Sequence, residues 1–145
     1  MSIRRSTVVF MSTEQTRSVV TQYFDRVSER DWDGFGQVLA EDVVYEMPQT
    51  GERITGRDRL VQFNREYPGD WQLTVTRLIA DGSTAAGSMN FTAGDEELVG
   101  LVYFEVVGDV IARITDFWPE PYAAPPGREH LAELGAVGLD RLSSS

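Results

Sequence analysis

A carboxylate set among apolar side chains is the feature of this sequence with the clearest chemical consequence. Asp116 lies in Ile111-Ala112-Arg113-Ile114-Thr115-Asp116-Phe117-Trp118, a run that alternates as a half-buried strand does. Strict alternation puts Val110, Ala112, Ile114, Asp116 and Trp118 on one face and Ile111, Arg113, Thr115 and Phe117 on the other. A buried, unpaired carboxylate is costly, so Asp116 must be hydrogen-bonded, paired or protonated. Burial beside Ile114 and Trp118 raises its pKa toward neutrality, which suits proton exchange with a carbon acid or an aldol-type carbonyl near pH 7. A structural aspartate held by a hydroxyl, an amide or an arginine fits the same residues. Tyr103 is a second candidate. A two-residue turn at Gly108-Asp109 pairs it with Ile114 and brings its phenol diagonally close to Asp116. A bulge in either strand would move it to the opposite face.

The elements that must hold these groups can be read in order. Ser12 and Gln15 have capping-box form, and Val19, Val20, Tyr23, Phe24 and Val27 recur at helical spacing, predicting a helix over Thr13–Glu29. Asp31 caps a second helix with apolar positions Trp32, Phe35, Val38 and Leu39, weakened by Gly34 and Gly36. Val43 to Met47 reads as a short strand with Val43, Tyr45 and Met47 on one face. Thr55-Gly56 opens a third helix with the stripe Leu60, Phe63 and Tyr67, stopped by Pro68. From Trp71 the period changes to two, predicting strands at Trp71–Ile79 and Thr84–Thr92 and a final hairpin from Leu98 to Trp118. Segregated helices followed by sequential strands predict an α+β fold. Tyr45, Met47, Phe63, Ile114 and Trp118 then line or fill its interior. The Pro-rich run after Trp118 reads as extended, with a short fraying helix through His130, Leu131 and Leu134.

Composition narrows the function. The 145-residue chain has a formal net charge of −10, which disfavours nucleic acid and anionic membrane surfaces. It has no cysteine and one histidine, which excludes thiolate chemistry and His-rich metal sites and makes no case for a metal or organic cofactor. His130 and the acidic turn Asp95-Glu96-Glu97 read as solvated surface, and Arg57-Asp58, near the start of the third helix, as a solvated pair or a helix-end charge arrangement. No apolar run is long enough to span a bilayer or form a signal-peptide core, so the expected location is the cytoplasm. Met11 followed by Ser-Thr-Glu-Gln resembles a natural start, which leaves residues 1–12 as a flexible extension, 13–122 as the domain and 123–145 as a Pro-rich, partly mobile tail.

The order of elements resembles the SnoaL-like branch of the nuclear transport factor 2-like superfamily. The signals that carry the resemblance are YFDRVSERDWDGF, LAEDVVYEMP, ITGRDRLVQF and IARITDFW. It implies a cone-shaped fold, with N-terminal helices packed on a curved antiparallel sheet around an apolar pocket, and a homodimer formed through the outer sheet face. It also implies roles. Tyr23 matches the helix-1 tyrosine that donates to a substrate oxyanion in ketosteroid-isomerase-like members. Met47 stands where those members carry a general-base Asp, and Gly100 where they carry a protonated Asp. Neither residue can transfer a proton. Asp116 matches the last-strand acid/base of SnoaL-like polyketide cyclases, without their nearby histidine. The Asp-Arg-Asp set of limonene-epoxide-hydrolase-like members has no counterpart beside Asp116.

Two readings follow. In one, a cofactor-independent isomerase, cyclase or lyase works on a small hydrophobic carbonyl compound, with Asp116 moving a proton and Tyr23 holding the oxyanion. In the other, the domain is a non-catalytic ligand-binding or dimerisation module.

Overall fold

The first helix begins where the sequence can satisfy its free N–H groups. In the computed structural model, which describes residues 12–135, the Ser12 hydroxyl accepts from the Gln15 N–H at 3.1 Å. The Gln15 side chain in turn accepts from the Ser12 N–H at 3.0 Å. Helix α1 (Thr13–Glu29) buries Val19, Val20, Tyr23, Phe24 and Val27. It stops at Arg30, at φ 60°, the non-glycine residue with positive φ among those described. The Arg30 guanidinium lies 3.6 Å from the centroid of the Trp71 ring and donates to the Trp71 carbonyl. These two contacts offset the left-handed backbone.

Helix α2 (Trp32–Gln37) is capped by Asp31, whose side chain accepts from the Gly34 N–H at 3.0 Å. It ends two residues sooner than its apolar spacing predicts. Leu39 leaves the helix and opens strand β1 (Leu39–Met47), where it pairs with Ile111. Two glycines in six residues give the helix little propensity, and a strand partner for Leu39 outweighs it. Strand β2 (Glu52–Thr55) has no counterpart in the sequence reading. It is short, polar and exposed, and pairing with β1 is what makes it a strand. Helix α3 (Arg57–Arg65) follows Gly56, whose φ of 104° bars other residues. Its Arg57 does not pair with Asp58 but donates to the Leu39 carbonyl at 3.2 Å, tying α3 to the start of β1.

Strands β3 (Trp71–Asp81), β4 (Thr84–Ala93), β5 (Glu96–Val107) and β6 (Val110–Phe117) form a meander joined by two-residue turns. The six strands lie in the order β2-β1-β6-β5-β4-β3. The class is α+β as expected, and every pair is antiparallel but one. β6 returns alongside β1 in the same direction, which makes the sheet mixed. α1 crosses β3 to β6, and α3 covers β1 and β2.

A bulge in β6 changes which residues face inward. Val107 pairs with Val110 and Val106 with Ile111, but Glu105 pairs with Arg113, leaving Ala112 over. The strand therefore turns its face at Ala112. Ile111, expected on the outer face, is fully buried, as are Ile114 and Phe104. Tyr103 pairs with Thr115 rather than Ile114. Its ring is 56% exposed on the outer face, 5.9 Å from Phe117. Ile114, expected to contact ligand, belongs to the closed core with Phe35, Leu39, Leu60 and Phe104.

The expected tail helix does not form in the described residues. Arg128 accepts from the N–H groups of Leu131 and Ala132, and the chain then leaves helical geometry. Leu131 and Leu134 stand more than 80% exposed, with no surface to pack on. Most of the proposed N-terminal extension (1–11) and the end of the tail (136–145) lie outside the described residues. Among the described residues no helix is long and apolar enough to cross a membrane.

Because Ile114 is closed off from the interior cavity, Ile114→Val is expected to lower unfolding stability by about 1 kcal/mol. Ligand affinity at the cavity should stay unchanged. Urea denaturation paired with a binding titration checks both.

Candidate functional site

The sheet curls around α1 and α3 without closing, and a cavity of about 330 Å³ remains between them. Its floor is formed by buried side chains of α1, β1 and β6, and its mouth by the exposed Thr50, Glu52 and Tyr67. Among the described residues that line it there is no lysine, arginine or histidine.

Asp116 sits at the floor, 6% exposed. The parallel partnership of β1 and β6 sets Tyr45 beside Ile114, close to Asp116. The Tyr45 hydroxyl donates to Asp116 Oδ2. Burial pushes the Asp116 carboxyl up from 3.8 to about 6, while the Tyr45 hydrogen bond and the neighbouring Trp118 indole restrain the rise. At pH 7 such a group is about nine-tenths ionised. It is a base that needs no large rearrangement to become an acid.

Tyr23 comes from α1, where the helical stripe turns it inward against Phe24, Phe35 and Phe104. Burial, then the Asp116 charge, pushes its phenol well above the usual value, as they do for Tyr45. Both therefore stay protonated and act as donors. Tyr45 is committed to Asp116. Tyr23 lines the cavity and is not among the enclosed polar groups lacking a partner.

Trp118 closes one side of the cavity. Its backbone N–H donates to Gln49 at 2.9 Å, which anchors the end of β6 to the turn after β1. Its indole lies flat over Gly100, where a Cβ would stand 2.7 Å from the ring. The side-chain space at Gly100, where the resemblance sets the second acid of other chains, is thus filled by tryptophan. Met47, which the resemblance sets in place of a general base, lines the cavity. The neighbouring Glu46 cannot replace it, because it points to the outer face and pairs with Arg113 and Arg53.

Six of the eight residues expected from sequence meet here: Asp116, Tyr23, Tyr45, Met47, Phe63 and Trp118. Tyr103 and Ile114 do not. Sequence reasoning missed Tyr67, Trp71 and Phe91 as lining residues, although their helical and period-two spacing marks each as facing inward. Glu52 carries no such signal, since β2 itself is not legible. Among the described residues no group of three or more acidic, histidine or cysteine side chains is placed to hold a metal.

The family model described as SnoaL-like domain matches residues 20–130. Among solved structures, the chain is similar to a candidate ketosteroid isomerase from Kribbella flavida DSM 17836. The two are 61% identical over 88% of this chain and 94% of that one, with a TM-score of 0.86. It is also similar to an NTF-2 like protein of unknown function from Burkholderia xenovorans LB400, at 20% identity, TM-score 0.73, and 85% and 97% of the two chains. An M. tuberculosis LEH-like epoxide hydrolase matches at 23% identity, TM-score 0.63, over 74% of this chain and 84% of that one. The last two likenesses are of fold. A search of curated proteins finds no match.

Two outcomes follow from the site's physics. The folded protein holds the Asp116 proton to about pH 6 and the unfolded chain only to about pH 4, so the fold binds more protons between those values. The stabilising preference for the neutral form is full below pH 4 and is lost as pH rises through 6, a decline of about 3 kcal/mol. Asp116→Asn removes that decline. The difference in urea midpoint between variant and parent, followed from pH 4 to 8, should therefore grow in the variant's favour. Gly100→Ala forces the indole off its seat and is expected to cost about 1–3 kcal/mol, read by thermal or urea unfolding.

Proposed function

This chain belongs to the SnoaL-like domain family, and on that premise we propose that it is a cofactor-independent enzyme for acid/base chemistry on a small hydrophobic carbonyl compound. The observation that carries the reading is a buried carboxylate facing an apolar cavity beside a protonated phenol.

The chemistry uses three side chains. A carbonyl compound enters with its apolar body against Met47, Phe63 and Trp118. Asp116 Oδ takes a proton from the carbon next to the carbonyl. The electron pair of the broken C–H bond moves into the C–C bond, and the carbonyl π electrons move onto oxygen. Tyr23 donates a hydrogen bond to that oxygen, where charge develops. Tyr45 holds the carboxylate in place throughout. Asp116 then returns the proton to the same carbon or another one, or the carbanion attacks a second carbonyl to close a ring and the alkoxide so formed takes the proton back from Asp116. The apolar wall excludes water and makes each of these interactions stronger than in bulk solvent.

A second reading rests on Met47 and Gly100. With two of the acids of ketosteroid-isomerase-like chains absent, the same cavity serves as a non-catalytic ligand site. Under either reading the outer sheet face, with Ile79, Leu101, Tyr103 and Val107 each at least 46% exposed, supports pairing with a second copy.

The test is deuterium exchange into a panel of activated ketones in heavy water, followed by mass spectrometry. The parent should label at least one ketone at a rate that rises through about pH 6, as Asp116 ionises. Asp116→Asn should abolish labelling. Tyr23→Phe should slow it roughly 10²-fold while leaving the protein folded. A folded parent that labels no member of a broad panel moves the conclusion to the binding module.

A further inference from the structure

The aromatic side chains of the cavity form a belt, and Asp116 closes it. The Tyr45 and Phe63 ring centroids are 5.9 Å apart, Phe63 and Tyr67 6.0 Å, Tyr67 and Phe91 5.8 Å, and Phe91 and Trp118 5.8 Å. From Trp118 the belt passes to Asp116, and from Asp116 to Tyr45 through its hydroxyl. Five aromatic rings thus run around the cavity from Tyr45, the donor to the carboxylate, to Trp118 beside it. Among the described residues no cationic side chain lines the space they enclose. The nearby Arg30 lies over Trp71, with its guanidinium engaged by the carbonyls of Val27, Ser28 and Trp71.

We infer that this belt is a binding site for a small organic ammonium ion, with Asp116 as its counter-charge. Ring faces attract a quaternary or tertiary ammonium through their quadrupoles, and the attraction is largest when the cation is desolvated. A carboxylate in an enclosed apolar site without a counter-ion is the group that gains most from one. An anionic ligand meets the reverse: Asp116 at the floor, Glu52 at the mouth and no basic group between. The net charge of −10 raises the local concentration of cations as well. The inference does not depend on proton transfer, only on a charged Asp116 facing the cavity.

Three molecules of nearly equal shape test it: choline, 3,3-dimethylbutan-1-ol and 3,3-dimethylbutanoate, titrated by calorimetry or ligand-observed NMR. At pH 8 choline should bind at least tenfold more tightly than the alcohol, and the carboxylate should bind most weakly. The preference should shrink as pH falls from 8 to 5. The titratable groups facing Asp116 are Tyr23 from α1, Tyr45 from β1, Tyr67 just after α3 by way of Tyr45, and Glu52 at the rim. The expected midpoint, near 6, is that of the charge change at Asp116. Asp116→Asn should equalise choline and the alcohol, and Trp118→Leu should weaken choline more than the alcohol. Equal or tighter binding of the alcohol overturns the inference. So does a choline preference that persists in Asp116→Asn, or no binding of choline to the folded protein. Ketone labelling without an ammonium preference would leave the catalytic reading standing. A preference without labelling would sustain only the present inference.

Discussion

Asp116 is buried in a cavity that sets a hydroxyl donor and an indole beside it and, among the lining residues, no cation. The rest of the site follows from that constraint. A carboxylate paired with an arginine would be a salt bridge, ionised far below neutrality and chemically idle. One wholly without donors would stay protonated at pH 7 and could not act as a base. Tyr45 and Trp118 set the balance between these limits, because they stabilise the charge without cancelling it. Their positions depend on pairings far apart in the chain: β1 running parallel to β6, and the last turn of β6 folding back over Gly100.

The same arrangement gives up stability. A cavity in the middle of a small domain forfeits contacts that a filled core would make. Ionising Asp116 within it opposes folding at the pH where the site would work. The closed part of the interior compensates. Phe24, Phe35 and Phe104 pack around the Tyr23 ring, and Leu39, Leu60, Ile111 and Ile114 fill the remainder of the core. Tyr23 belongs to both halves. Its ring is a core aromatic and its hydroxyl lines the cavity, so one helical stripe supplies the packing and the donor.

The comparison with ketosteroid-isomerase-like chains becomes concrete at two positions. Position 100, where the resemblance sets an acid, has no room for a side chain, because an indole beside Asp116 takes the space. Position 47, where it sets a base, puts a flexible thioether on the wall. Acid/base capacity in this chain is therefore concentrated on the last strand, with a ring of aromatic side chains in place of a second carboxyl. The two proposals, a polarised carbonyl and an organic cation, therefore share one physical basis. Both present positive character to Asp116 and apolar surface to the rings.

Much of this was legible from local pattern. The capping box, the helical stripe of α1, the period-two strands and the glycine turns mark their elements directly, because each depends on residues close in sequence. Asp116, Tyr23, Tyr45, Met47, Phe63 and Trp118 could be named for the same reason, since each sits at an inward position of its own element. The bulge at Ala112 is a different kind of fact. It appears only in the pairing of β5 with β6, and it decides that Tyr103 faces out and Ile111 faces in. Strand β2 exists only because β1 offers it an edge. The closure of the aromatic belt through Asp116 joins α3, β1, β4 and β6. Periodicity tells a residue which way to point within its element; only packing between distant elements decides what it then meets.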